Sequence, residues 1–265
     1  MILDEILAHK RIEVAERKRV RPMPPLPTTL EQPRSFARAL RQPGVAFIAE
    51  IKRKSPSGGE LRPGASAADL AAIYASAGAA ALSVLTDAAY FGGTNDDLVT
   101  ARQVSGLPAL RKDFVVDPYQ LYEARALGAD AVLLIVRALG DAQLGELLEL
   151  THRLGMEALV ETHTAHEVER AVACGARIVG VNNRDLDTLV TDVSLARRLR
   201  PMVPPECVFV AESGISQPEQ VATLLAAGVD AVLIGESLLR SPDPGLKLRN
   251  LVEAGAPISV VRASA

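Results

Sequence analysis

Tryptophan is absent from this 265-residue chain, and five Phe with four Tyr bring aromatics to only 3%. So few rings leave no platform for stacking nucleic-acid bases. Basic residues are not in excess either: 29 Lys+Arg face 32 Asp+Glu, a net charge of −3. A polyanion-binding surface usually carries a clustered basic surplus, so no nucleic-acid partner is expected. The two cysteines, Cys174 and Cys207, cannot build a disulfide framework, and no Cys/His cluster has zinc-ligand spacing. No metal site is therefore expected. No apolar run approaches the ~18 residues of a membrane span. The opening MILDEILAHKRIEVAERKR mixes acids and bases and lacks a signal-peptide core. These absences point to the cytoplasm, with no membrane partner.

What remains is ordinary globular composition, 48% hydrophobic and 23% charged, long enough for one large α/β domain. Ile2, Leu3, Ile6, Leu7 and Val14 recur at helical spacing, with charges between them, and Pro22, Pro24 and Pro25 end that helix. A Pro-punctuated connector follows, helical in character around Ser35 to Leu40, and runs to Gly44. A regular alternation then begins. Short apolar runs at 46–51, 80–85, 109–111, 131–135, 158–160, 178–181, 208–211 and 231–234 read as eight strands. Helical patterns lie between them, opening at Ser66 or Asp117-Pro118 and closing at Gly78, Gly128, Gly155, Gly175 and Gly228. Continuously apolar strands separated by helices require a parallel sheet covered on both sides. Eight βα units match a (β/α)₈ TIM barrel. A doubly wound sheet is the alternative, but it favours a glycine-rich turn after the first strand, where Lys52-Arg53-Lys54 stands here. The expected organisation is one α/β domain: a helical extension over 1–44, a barrel over 45–255 and a tail over 256–265.

Barrel chemistry is assembled where the strands end. Glu50 and Lys52 share the inward parity of the first strand, and Lys112 shares that of Leu110 in the third. Glu161, Asn182 and Glu212 end the fifth, sixth and seventh. Any one of these is an unremarkable rim residue, whereas five ends aiming polar groups at one mouth are costly to bury unless they pair. Acids and bases so packed shift each other's pKa values, as proton-transfer chemistry needs. Lys52, Arg53, Lys54, Arg111 and Lys112 are expected to gather at that mouth. The loops Glu212-Ser213-Gly214-Ile215 and Gly235-Glu236-Ser237-Leu238 hold the positions where barrels bind phosphate. Lys52 or the Ser55 hydroxyl would add a contact from the facing side. The segment 54–63, with Ser, Pro and several Gly, is expected to close over a ligand. His9, His152, His163 and His166 have no nucleophile beside them and are expected at the surface. Cys207 is expected to be structural, and no serine sits in a nucleophile elbow.

From IAEIKRKSPSGG (48–59) onward the chain resembles the indole-3-glycerol phosphate synthase family. LSVLTDAAYFGGT (82–94), LRKDFVVDPYQ (110–120), ALVETH (158–163), VGVNNRDL (179–186), AESGI (211–215) and VLIGESLL (232–239) extend the resemblance over nearly the whole chain. It implies an N-terminal helix lying over the barrel mouth. It also implies a cofactor-free conversion of 1-(2-carboxyphenylamino)-1-deoxyribulose 5-phosphate into indole-3-glycerol phosphate, CO₂ and water. By the same resemblance Lys112 is the general acid on the ketone oxygen, and Glu161 assists later proton transfer and loss of water. Lys52 meets the anionic substrate, Glu50, Asn182, Glu212 and Ser213 position it, and Arg184 supports the site. Ser213, Gly214, Gly235 and Glu236 hold the phosphate, mostly through backbone. Phe91, Phe114 and Leu133, near strand ends, are candidates for the aryl slot. The expected partner is this small phosphorylated, anthranilate-derived molecule, and the chain is expected to be a monomer or a weak homo-oligomer. Two alternatives stay open: a sister phosphate-binding isomerase barrel, which would lack the Lys52, Lys112, Glu161 trio, and a non-catalytic barrel that binds a phosphorylated ligand.

Overall fold

A computed structural model describes residues 2–22, 31–55, 58–185 and 188–257. Pro24, Pro25, Leu186, part of the expected closing segment (Pro56 and Ser57) and the tail beyond residue 257 lie outside the described residues. Eight strands form one closed parallel barrel: β1 (Ala46–Ile51), β2 (Ala81–Leu85), β3 (Ala109–Lys112), β4 (Ala131–Ile135), β5 (Glu157–Thr162), β6 (Ile178–Asn182), β7 (Val208–Glu212) and β8 (Ala231–Ile234). Closure comes from β1, which pairs in parallel with β2 on one side and β8 on the other.

Each strand matches an apolar run, because helices cover the outside and side chains fill the inside. The differences lie at the C-terminal ends. There β3 continues to Lys112, β5 to Thr162, β6 to Asn182 and β7 to Glu212, and Asn182 still registers with Glu212. The hydrogen-bond ladder outlasts the apolar run by one or two residues, so the polar site residues stand on rigid strand backbone. A two-residue ribbon, Lys54–Ser55 with Gly59–Glu60, forms beyond β1 where sequence suggested only loop.

The helices start on side-chain caps. Ser66 accepts from the Asp69 amide before Ala67–Ser76, and Asp117 caps Pro118–Ala126 with Gln120 completing the box. The five glycines expected to end helices all adopt positive φ, between 74° and 94°.

The N-terminal segment divides its work between the two ends of the barrel. Helix α1 (Ile2–Val20) buries Leu3 and Leu7 against Val116 and Phe114, above the mouth. Helix α2 (Phe36–Leu40) closes the opposite end, where Phe36 and Leu40 join the barrel interior with Ala46, Ile178, Val208 and Ala231, residues at the starts of their strands. The Ala37 amide donates to Glu157 at the start of β5 at 2.7 Å, which fixes α2 there.

Candidate active site

A cavity of about 370 Å³ opens at the C-terminal ends of the strands. Every site residue expected from the sequence lines it except Glu212, which lies beneath its floor. Its ceiling comes from Ile2, Leu3 and Ile6 of α1. Phe91 and Phe114 face each other on one wall, ring centroids 6.0 Å apart, beside Leu133 and Ile135. One apolar wall and a polar floor suit a ligand with an aromatic half and an anionic half.

On that floor the Lys112 ammonium donates to Glu212 Oε2 at 2.8 Å and stands 3.5 Å from Glu161 Oε2 and 3.9 Å from Glu50 Oε2. Lys52 pairs with the other Glu50 oxygen at 2.8 Å. Burial opposes the Lys112 charge, but the three carboxylates outweigh it and hold its pKa above the ordinary lysine value. Glu212 behaves oppositely. Burial pushes its pKa up to about 7, and repulsion from Glu161 and Glu50 adds to the push against the pull of Lys112. Glu50 resists its own burial because Lys52 and Lys112 keep its pKa low.

Glycine makes room for these carboxylates. A Cβ on Gly180 would collide with Glu212 Oε1, and one on Gly235 would stand 2.6 Å from Glu50 Oε1. The two loops expected to hold phosphate meet at the cavity rim, where the Ser237 hydroxyl donates to the Ile215 carbonyl at 3.0 Å. Ser213 and Gly214 are consecutive residues at positive φ, 66° and 79°, a turn that brings successive N–H groups to one side. The short helix Glu236–Leu239 starts at Gly235, and its first N–H groups lack intrahelical acceptors. The Glu236 carboxylate turns to Arg240 at 2.9 Å and Arg184 at 3.4 Å, so its charge is taken up by those two guanidinium groups.

Several expectations need correction. Arg111 does not join the mouth. One residue before Lys112, it points outward and is buried against Thr86, the Gln120 carbonyl and Glu123. Arg53 pairs with Asp97 at 2.6 Å, and Lys54 donates to the Ala89 carbonyl at 2.9 Å. Of the five basic residues expected there, only Lys52 and Lys112 line the cavity. His163 is not at the surface; its side chain is 5% exposed, next to Glu161. Lys10 was unremarkable in sequence, yet it is fully buried in α1 and spans Asp87 (2.8 Å) and Asp113 (3.0 Å), which ties the ceiling to the ends of β2 and β3. A lysine on the buried stripe of an amphipathic helix was the available signal for it.

Comparison with known proteins agrees with this geometry. The family described as indole-3-glycerol phosphate synthase matches residues 3–251. An indole-3-glycerol phosphate synthase of Dehalococcoides mccartyi is 46% identical over 259 residues, 95% of this chain and 100% of that protein. Indole-3-glycerol phosphate synthase 2 of Streptomyces coelicolor is 53% identical over 219 residues, 83% of this chain and 85% of its own. Among solved structures, thiamine phosphate pyrophosphorylase from Pyrococcus furiosus superposes with a TM-score of 0.60 at 16% identity, over 81% of this chain and 96% of that one, and so shares the fold. Match length, identity and coverage lead to one assignment: the chain belongs to the indole-3-glycerol phosphate synthase family.

Proposed function

We propose that this chain closes the pyrrole ring of indole, converting 1-(2-carboxyphenylamino)-1-deoxyribulose 5-phosphate into indole-3-glycerol phosphate with loss of CO₂ and water. The observation that carries this reading is the placement of Lys112, a buried ammonium aimed into a half-apolar cavity and held by Glu212, Glu161 and Glu50. In this reading the aryl ring lies against Phe91, Phe114 and Leu133, and the phosphate sits on the N–H groups of the loops at Ser213-Gly214 and Gly235-Glu236. Lys52, Ser55 and Arg184 meet the anionic groups between these ends. Asn182, which also lines the cavity, orients the chain of the substrate in this reading.

Lys112 then gives its proton to the ketone oxygen as the aromatic carbon attacks, which relieves the charge that would otherwise build on oxygen. Ring closure leaves a cationic iminium, and that cation accepts the electrons released when CO₂ leaves. No cofactor is needed in this scheme. Glu161, on the same floor, takes the ring proton and assists departure of the hydroxyl as water. Each group in the scheme comes from one chain, so a monomer suffices, and we place the reaction in the cytoplasm.

The decisive assay follows indole fluorescence when the purified protein meets the carboxyphenylamino substrate. Turnover by the protein alone is expected, and Lys112→Ala should lower kcat by about 10²-fold or more, the share of a general acid. Substrate binding without turnover would point instead to a binding barrel. An undiminished Lys112→Ala rate would remove that residue from the acid role.

A further inference from the structure

His163 follows β5 directly, two residues beyond Glu161. Its Nε2 lies 3.7 Å from Glu161 Oε1, and its Nδ1 lies 3.5 Å from Glu167 Oε2. Glu167 stands in the first turn of the helix Ala165–Ala173, and the same oxygen accepts the His163 backbone N–H at 2.7 Å. Both ring nitrogens are buried, and neither has a tighter hydrogen-bond partner among the described residues. A neutral imidazole has one donor and one acceptor, whereas an ionised carboxylate only accepts. With a carboxylate at each nitrogen, either neutral tautomer turns a lone pair toward negative charge. Only the imidazolium, positive and without a free lone pair, sets attraction at both nitrogens.

The surrounding charges agree. Glu161 and Glu212 face His163 from β5 and β7, Glu167 faces it from the helix that follows, and Arg137 acts on Glu167 from behind. Burial works against the imidazolium, but the Glu167 hydrogen bond and the charges of Glu161, Glu167 and Glu212 overcome it and lift the His163 pKa above its usual value.

We propose that His163 is a positioning residue for Glu161: held by Glu167 as an imidazolium, it attracts Oε1 of Glu161, leaves Oε2 to Lys112 and the reacting atoms, and so fixes the orientation in which that carboxylate takes a proton. The idea rests on the proton-transfer role given to Glu161 above. His163 touches no substrate atom and gives up no proton during turnover. Its charge is present below its own pKa and is lost as pH rises through it, so the grip fails on the alkaline side. Loss of one orienting contact removes part of the ~10²-fold that a proton-transfer group supplies.

Three measurements on the full chain test this. His163→Gln keeps an amide near Glu161 but cannot carry charge. It should lower kcat roughly tenfold, leave KM within about twofold, and abolish the alkaline limb due to His163. Glu167→Gln still offers an oxygen to the His163 backbone N–H yet removes one of the two anions, so the same limb should move to lower pH. Imidazole ¹⁵N shifts of the substrate-free protein, assigned by comparison with His163→Gln, should show a doubly protonated ring at pH 6.5. Neutralising Glu167 lowers the ring titration in either case, but with a purely structural His163 the kcat limb would stay where it is. Wild-type kcat and an unchanged pH profile in His163→Gln would overturn the proposal, as would a neutral ring at pH 6.5. Failure of the wild-type protein to turn over the substrate would strike the reaction assignment instead, and the ring titration would still report on His163.

Discussion

Replacing Lys10 by Met tests whether one buried ion cluster holds the ceiling of the cavity in place. The ammonium is fully buried, 2.8 Å from Asp87, 2.9 Å from Glu13 and 3.0 Å from Asp113. Methionine fills similar volume without charge and would leave two almost wholly buried carboxylates facing it. Breaking a buried pair from one side costs about 3–5 kcal/mol. Here each aspartate keeps other partners. Asp113 retains Arg111 at 3.4 Å, the Thr86 hydroxyl at 2.8 Å and the Phe114 amide at 2.8 Å. Asp87 retains the amides of Tyr90 at 2.7 Å and Phe91 at 3.3 Å. The low end, about 3 kcal/mol, is therefore expected, equivalent to roughly 6–12 °C in Tm for a domain of this size.

Urea unfolding followed by far-UV circular dichroism at pH 7 measures the cost. The sign of a double-mutant cycle makes the test sharp. If the loss arises from a stranded charge, Lys10→Met/Asp87→Asn should be more stable than Lys10→Met alone. KM should also rise in Lys10→Met, because Ile2, Leu3 and Ile6 on the same helix line the cavity. A cost below about 1 kcal/mol, or simple additivity with Asp87→Asn, would refute the reasoning.

Glu212→Gln should change the pH dependence of stability in a definite direction. The folded carboxyl titrates at about 7 against an ordinary 4.5, so between those values the folded chain binds more protons than the unfolded one, and this group makes stability fall as pH rises. The variant should gain on the wild type across that window in urea titrations; a pH-independent difference would contradict the Glu212 assignment. Gly235→Ala would place its Cβ 2.6 Å from Glu50 Oε1 and 2.9 Å from Glu50 Cβ, forcing Glu50 off Lys52. A stability loss of about 1–3 kcal/mol is expected from overpacking, with a kcat/KM loss of roughly tenfold or more. Steady-state kinetics matching the wild type would show that Glu50 can move without consequence.

The barrel was legible because a parallel sheet writes itself as apolar runs, and each run became a strand. Those runs stop too early by a residue or two, at Lys112, Asn182 and Glu212, because hydropathy changes where the lining becomes polar while the ladder continues. Inward parity, applied to Lys112, located the floor of the cavity. Applied equally to its neighbour Arg111, it sends that residue outward, where Thr86, Gln120 and Glu123 receive it; grouping the two by proximity in sequence obscured this. His163 and Lys10 were hidden for another reason. Both gain their meaning from partners on other elements, Glu167 and Asp87 among them, and no local period reports such contacts. The same holds for α2, whose five residues carry too little pattern to say which end of a barrel Phe36 and Leu40 will plug.

In the proposed reaction the charge of the floor sets how Lys112 works as the acid. Three carboxylates around Lys112 guarantee that it is protonated when substrate arrives, and the same three make it reluctant to give the proton up. Net positive charge is not what this end of the barrel offers an anion, since Glu50, Glu161 and Glu212 outnumber Lys52 and Lys112 in and beneath the floor. In the proposed reading the loop N–H groups at Ser213-Gly214 and Gly235-Glu236 take up the anion, which frees the lysines for the ring-forming end. Glu212 then has a particular place: burial pushes its pKa up to about 7, and it is hydrogen-bonded to Lys112 at 2.8 Å. When Glu212 is protonated, one of the charges that strengthen the hold of Lys112 on its proton is gone, and the lysine becomes a stronger acid. In the proposed reaction the acid strength available to the ketone oxygen therefore depends on the charge of Glu212 as well as on the lysine.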